Sequence, residues 1–481
     1  MTYFKSDKNR WIVSWIFIAI GIFAIFFARK PHILEFSHYY LGAKYSGELD
    51  YNGLYDAVSG AIVELYGQSY FDRHIKYVRY LDGVGIIKPD AALKRFEKQK
   101  LRWSESRWRE FVEDVKYLDV SMRIYSESEP IHHWKKILKD HGYNASPLYT
   151  AYVSPLANAL PLNFINLHVL CVFDIILILF IFLLLMRMYG LFRASLGFLF
   201  FASSLDLLAY FTFALFRFDC FFALALAFFF IERKKFFLSG VFWGIAVILR
   251  IFPIYIAGFF LLTWMFCRRN SHDEHKKMTN FAFGGFSSAI LSVIFSSFIL
   301  NFFYKIPVIG VWTAFFKRIS SHNLYTDMLN AVGIGKLFEF LGIPAGHIVP
   351  FIIGIALALL LMAALIRKKE KPDNIAIMSI FAVPLVLYLS HYYYLILLFP
   401  SALNNRKIRY VTIFLIFINI AIGIAKYTGA NYFVLLDVEC VAYSAILVTV
   451  PIVMFFSSRA TVRDSSKFVD WRHLLDCVHL D

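Results

Sequence analysis

The apolar runs of this chain are bounded by basic clusters that recur at alternate run ends. The clusters are Lys5/Lys8/Arg10, Arg187/Arg193, Arg233-Lys234-Lys235, Arg268-Arg269 with Lys276-Lys277, Arg367-Lys368-Lys369 with Lys371, Arg406-Lys407 with Arg409, and Arg459/Arg463. Between successive clusters lie two apolar runs, or one run plus a long loop. A chain that crosses a bilayer and keeps its short cationic loops in the cytoplasm has this pattern. A crossing helix needs about 20 apolar residues. Segmentation on that basis predicts an all-α integral membrane protein of about twelve transmembrane helices, near residues 11–28, 164–186, 195–212, 218–231, 236–250, 252–266, 280–303, 348–366, 374–390, 392–405, 410–425 and 432–456. Both termini then fall in the cytoplasm.

Composition agrees. The 481 residues are 59% hydrophobic and only 17% charged, with 53 Phe, whereas soluble domains carry nearer a quarter charged residues. The net charge of +15 would point to nucleic acid in a soluble protein; here it sits in the loops that orient the spans and meet anionic headgroups. No basic soluble domain is present, so nucleic acid is not an expected partner. The five cysteines all lie outside the loop 29–146, which therefore encodes no disulfide framework. The first run, Trp11 to Ala28, is too long for a typical signal-peptide core and reads as an uncleaved signal-anchor.

Four regions follow: a cytoplasmic N-terminus and first span (1–28), an extracytoplasmic loop (29–162), a polytopic domain (163–456) and a cytoplasmic tail (457–481). The loop opens with apolar and aromatic residues at helical spacing (Phe36, Tyr39, Tyr40, Ala43; Leu54, Val58, Ala61, Ile62, Leu65), the signature of a helix on or in the membrane surface. Phe71 to Trp134 reads as a charged helical insert with a soluble face. The proline-punctuated stretch 146–161 has the character of a segment that re-enters the membrane without crossing.

With this topology Glu35, Asp56, Arg217, Asp219, Arg250, Lys317, Arg318, His322, Asn330 and His391 gather at the outer ends of spans. Each has a simpler explanation: a solvated loop acid for Glu35, a local ion pair for Arg217 and Asp219, snorkelling for Arg250, an interfacial aromatic belt for His391 with Tyr392–Tyr394. Their convergence favours a site. Several cations, a carboxylate and a histidine at one interface suit a substrate whose phosphate sits just above a lipid tail. A carboxylate within hydrogen-bond reach would take a proton from an attacking hydroxyl. His132-His133 and His272/His275 lack the further ligands of a metal centre, so no metal or cofactor is expected. No glycine-rich phosphate loop is present, which disfavours an ATP-driven machine. Asn144-Ala145-Ser146 matches the glycosylation acceptor triplet, a match expected by chance in a chain this long.

The order of these features resembles the C superfamily of polytopic glycosyltransferases, and within it glycosyltransferase family 87, the polyprenyl-phosphate-mannose-dependent mannosyltransferases. The similarity runs through Glu35-Phe36-Ser37-His38-Tyr39-Tyr40-Leu41-Gly42-Ala43, Leu54-Tyr55-Asp56, Ser146-Pro147-Leu148-Tyr149 and Ser154-Pro155-Leu156-Ala157 with Leu160-Pro161. It continues in Arg217-Phe218-Asp219, Leu249-Arg250-Ile251-Phe252-Pro253, Phe316-Lys317-Arg318-Ile319 to His322, Asn330-Ala331-Val332-Gly333 and Ser390-His391-Tyr392-Tyr393. The chain departs from the family in carrying Glu35 where Asp is usual, in lacking the Gly-Gln pair before the fourth span, and in the length of its charged insert.

The resemblance implies an inverting hexosyltransferase of the bacterial cytoplasmic (inner) membrane with its active site facing outward. Its donor would be a polyprenyl-phosphate sugar, with mannose the family's sugar, and its acceptor a glycan or glycolipid. Glu35 would be the base, with Asp56, Asp219 and His391 the next candidates. Arg217, Arg250, Lys317, Arg318, His322 and Asn330 would hold the donor phosphate. The alternative from another class is a transporter or flippase of a lipid-linked glycan, for which Asp174, Asp206, Asp437 and Glu439 are the ionisable residues within spans.

Overall fold

The structure, a computed structural model, describes residues 2–460 apart from 28–29, 82–84, 127–129, 141, 269–270, 323–330, 344–347, 387–388 and 404. Its main helices are α1 (Thr2–Phe27), α2 (Leu54–Tyr66), α3 (Pro89–Lys100), α4 (Glu105–Ser126), α5 (Pro147–Ala159), α6 (Phe164–Tyr189), α7 (Leu191–Ser203), α8 (Leu205–Phe211) and α9 (Asp219–Glu232). They continue with α10 (Phe236–Leu249), α11 (Pro253–Cys267), α12 (His272–Tyr304), α13 (Val308–His322), α14 (Ile348–Arg367), α15 (Pro372–Met378), α16 (Arg406–Tyr427) and α17 (Tyr432–Ala460). Strand structure among the described residues amounts to two short antiparallel pairs: β1 (Val78–Arg79) with β2 (Ile86–Ile87), and β3 (Ala331–Val332) with β4 (Leu389–Ser390).

Among the described residues, six helices are long and apolar enough to cross a membrane: Lys8–Phe27 of α1, α6, α12, α14, Lys407–Tyr427 of α16 and Val434–Phe456 of α17. The chain is thus an all-α membrane protein. The other six expected spans are shorter or broken. Residues 195–212 divide into α7 and α8 at Ser204, whose hydroxyl accepts the Leu207 N–H and starts a new helix. Residues 374–390 pass from α15 into a 3₁₀ turn (Ser379–Ala382), and 392–405 fall in a 3₁₀ helix (His391–Leu397) followed by the short helix Leu398–Ser401. Prolines 384 and 400 account for part of this, since each removes an N–H from the helical ladder. α9, α10 and α11 have 14, 14 and 15 residues, about 21–23 Å at the helical rise.

α10 packs closely against α12. A Cβ on Gly240 would lie 2.0 Å from the Phe281 carbonyl oxygen, and one on Gly284 would lie 2.2 Å from that of Phe237. Small residues facing each other let two backbones approach and gain dispersion contacts that lipid cannot supply. Ser288 ties the seam by donating to the Val241 carbonyl at 2.8 Å. The pair fixes the C-terminal end of α10, where Arg250 follows.

Residues 33–66 do not lie flat on a surface. They form a continuous helical path (Ile33–Glu35 α, Phe36–Tyr40 π, Leu41–Lys44 α), a turn, and then α2, and they are buried on nearly every side. The insert causes this burial. Most of its charges stay exposed, but a few point inward: Lys44 beneath it, fully buried, pairs with Asp114 at 2.7 Å and Glu110 at 2.8 Å. Arg107 reaches Glu48 at 2.8 Å and the Lys44 carbonyl at 2.6 Å, and Trp108 donates to Glu64 at 2.6 Å. A charged insert that uses its polar groups against the helices beneath it is a clamp, not a separate lobe.

Candidate functional site

Glu35 sits where the short α helix 33–35 passes into the π turn Phe36–Tyr40. A π turn carries one extra residue per hydrogen-bonded ring and re-aims its side chains, and such turns concentrate at functional sites. The Glu35 carboxylate is 4% exposed and receives the Arg217 guanidinium, itself 6% exposed, through Oε1. Its second oxygen, Oε2, is buried with no hydrogen-bond partner. Such an oxygen carries the desolvation cost of a charged acceptor without compensation, which marks it as functional or strained.

Arg217 lies in the loop between α8 and α9, whose backbone is strained. Phe213 and Phe216 adopt positive φ (57° and 54°), a region bulky residues avoid. The loop is pinned at each step: the Phe213 carbonyl accepts from His32 N–H at 3.0 Å, the Leu215 carbonyl accepts from the Tyr149 hydroxyl at 2.9 Å, and Phe218 N–H donates to buried Asp174 at 3.2 Å. Surroundings that over-determine a strained loop are what hold it in place.

Around this pair is a continuous set of tyrosines. Arg217 lies over the Tyr39 ring at 5.0 Å, and Tyr39 meets Tyr143 and Tyr149 edge-on at 5.9 and 5.6 Å. Tyr149 and Tyr152, one turn apart on α5, present the same face; Ser146 caps that helix by accepting the Tyr149 N–H. Arg250 lies 6.0 Å from the Tyr149 ring, and Asp219 exerts the strongest charge attraction on it. The Asp219 carboxylate accepts from the Tyr152 hydroxyl at 2.6 Å and from Cys220 N–H at 2.6 Å, at the start of α9. Tyr51, also at positive φ, meets Tyr143 edge-on at 5.6 Å, and next to it Asn52 accepts from buried Arg318 at 3.4 Å.

The structure therefore brings Glu35, Arg217, Asp219, Arg250 and Arg318 to one end of the bundle. Glu35 is not a solvated loop acid, and Arg217 pairs with Glu35 across 182 residues rather than with its neighbour Asp219. Asp56 turns the other way: it is bonded to Arg95 of the insert at 2.9 Å, while adjacent Tyr55 faces the site side and meets His38 at 2.9 Å. Lys317 is exposed on α13, about 100° around the helix from buried Arg318. His322 ends α13, one turn past Arg318. His391 opens the 3₁₀ helix 391–397 directly after β4, whose Ser390 pairs with Ala331 of β3. Asn330 lies outside the described residues.

Sequence reasoning missed the tyrosines and Asp174 as site components. The i, i+3 spacing of Tyr149 and Tyr152 was the available signal, but 28 tyrosines in a membrane chain mask it. Asn144 was noted only as a glycosylation match; its amide oxygen accepts from the Tyr39 hydroxyl at 2.5 Å inside the cluster. No group of metal-ligating side chains occurs among the described residues. Burial holds the His38 and His32 imidazoles below their ordinary range, so both favour the neutral form.

A second polar network lies across the 3₁₀ helix 391–397. Lys426 bonds Asp206 at 2.6 Å and lies 3.9 Å from Glu439, which accepts from the Tyr394 hydroxyl; Ser204 meets that hydroxyl at 2.8 Å. Tyr393, the preceding residue, instead packs on Phe252 at 5.2 Å, beside Arg250. Adjacent tyrosines of one short helix thus serve two different clusters.

Fold and site together define a helical membrane protein with a buried carboxylate–guanidinium–tyrosine cluster at one end of its bundle. No family model, curated protein or solved structure matches the chain.

Proposed function

We propose that the chain is an inverting glycosyltransferase that moves a hexose from a polyprenyl-phosphate donor to a glycan or glycolipid hydroxyl at the outer face of a bacterial cytoplasmic membrane. The observation that carries this reading is the Glu35 carboxylate, buried, held through one oxygen by Arg217 and without a hydrogen-bond partner at the other. Oε2 would accept the acceptor's hydroxyl proton as the oxygen attacks the anomeric carbon and the bond to the phosphate breaks. The electron pair leaves with the polyprenyl phosphate, whose charge grows as it departs. Protonation of Glu35 neutralises the partner of Arg217 at that same moment, freeing the guanidinium's charge for the leaving phosphate. That interaction strengthens in the transition state, which is what accelerates a reaction. Arg250 and Arg318 would supply further charge, and the tyrosine faces would receive the sugar ring.

The second reading, a transporter of a lipid-linked glycan, draws on the buried Asp206–Lys426–Glu439 network, since ionisable residues inside a bundle commonly mark a path. One experiment separates the two. Purified protein is incubated with a panel of radiolabelled polyprenyl-phosphate sugars and, in parallel, reconstituted into proteoliposomes with a lipid-linked glycan. The enzyme reading expects release of polyprenyl phosphate from one member of the panel. Movement of the glycan across the bilayer with every donor intact would contradict it.

A further inference from the structure

At the opposite end from the cluster, α16 and α17 part to leave a groove of about 710 Å³. Its floor follows one face of each helix, from Lys407 to Ile418 on α16 and from Ala442 to Met454 on α17. Eleven and twelve steps along the helices at the helical rise give a trough about 17 Å long. Ala442 and Ala445 leave the floor open, while Phe414, 57% exposed, forms a lip. The one hydroxyl on α17 along the floor, that of Thr449, already donates to the Ala445 carbonyl at 2.7 Å and asks nothing of an occupant.

The mouth differs chemically from the trough. Lys407 is the charged residue of the lining, and the Lys368 ammonium at the end of α14 repels it. Arg367 stacks over Phe455 at 4.7 Å, next to Met454 at the trough's end. Like charges gathered at one point are unfavourable in isolation and favourable around an anion. A single apolar trough with cations at one end has the polarity of one amphiphile: an anionic head with an aliphatic tail. A second copy of this chain seated here would bring no opposing charge of its own to this mouth, because the same face would carry the same cations.

We propose that the groove between α16 and α17 is a binding site for an anionic glycerophospholipid, one acyl chain lying along the trough and the phosphate at Lys407. Basic pockets between membrane helices select anionic headgroups in this way. The proposal is independent of the sugar chemistry at the other end.

The test is native mass spectrometry of the full-length protein, extracted from vesicles of equal parts phosphatidylglycerol and phosphatidylcholine. The wild type is expected to retain phosphatidylglycerol in preference to phosphatidylcholine. Lys407→Gln should lower that preference about fivefold, the effect of one lysine near a charged lipid surface. Ala445→Trp, which fills the trough, should remove the retained lipid of both kinds while far-ultraviolet circular dichroism is unchanged. If Ala445→Trp does not fold, the Lys407→Gln ratio decides. Equal retention of both lipids by the wild type, an unchanged ratio in Lys407→Gln, or a lipid-free dimer as the retained species would overturn the proposal.

Discussion

A guanidinium and a carboxylate buried together are individually costly and jointly tolerable, and much of the site's chemistry follows from that. Arg217 donates to Glu35 through one guanidinium nitrogen and lies over the Tyr39 ring; lysine cannot reproduce that planar stack. Arg217→Ala leaves a buried carboxylate without its cation, and breaking a buried pair costs about 3–5 kcal/mol. Thermal unfolding should show that loss, with Arg217→Lys intermediate. A cycle combining Arg217→Ala with Glu35→Gln should return a coupling energy of about 0.5–3 kcal/mol. Strict additivity would mean the two side chains do not act together in solution. At this scale the sequence was informative about charges and poor about their partners. Glu35, Arg217, Asp219, Arg250 and Arg318 stood out because charges are rare in an apolar chain. That Arg217 pairs with Glu35, that Asp56 turns to Arg95, and that Lys317 faces out while Arg318 faces in depend on how distant segments dock, which spacing does not encode.

Among the elements, the α10–α12 seam and the insert decide how firmly the site is held. Gly240→Leu would drive a branched side chain into the Phe281 carbonyl, 2.0 Å from where its Cβ would start, and so separate the two helices. Overpacking typically costs about 1–3 kcal/mol, and here it also displaces Arg250. The variant should extract poorly and melt early, whereas Gly258→Leu, with open space around it, should be close to neutral. The insert makes a pH prediction. Burial pushes the Asp119 carboxyl up to about 6, between Tyr66 and Trp134, and pushes the His133 imidazole down to about 4. A raised carboxyl favours the folded state on acidification, because the fold takes its proton before the unfolded chain does. A depressed imidazole works the other way as pH falls from about 6.5 to 4. The two windows overlap and oppose, so each variant should unmask the other group. Hydrogen exchange of α3 and α4 between pH 7.5 and 5 should show protection falling more steeply in Asp119→Asn and rising in His133→Gln. Parallel profiles in both variants and the wild type would refute these assignments. The exposed face of the insert, with Lys94, Lys98, Lys116 and Arg123 in solvent, was legible in the sequence; the inward pairs of Asp114, Asp119 and Arg107 were not, because they depend on packing against distant helices.

For the molecule as a whole, alternation of basic clusters with apolar runs conveyed the class, a helical membrane protein. It was less informative about helix length, because Ser204, Pro384 and Pro400 break runs that hydropathy alone treats as continuous. The topology it implies has a direct check: in a cysteine-free background, cysteines at Ser104 in the insert and Lys234 in the α9–α10 turn should react with an impermeant thiol reagent from opposite sides of the membrane. Reaction from the same side would undo the proposed sidedness. The central claim is that Glu35 takes the acceptor's proton while Arg217 holds it in place. Glu35→Gln keeps the shape and the hydrogen-bonding reach but cannot accept that proton. The decisive measurement is donor binding and sugar transfer, side by side, in wild type and folded Glu35→Gln, using the polyprenyl-phosphate sugar that the panel identifies. The account predicts transfer slowed by about two to four orders of magnitude with donor binding retained, the cost of losing a general base. Transfer at the wild-type rate in Glu35→Gln would contradict it.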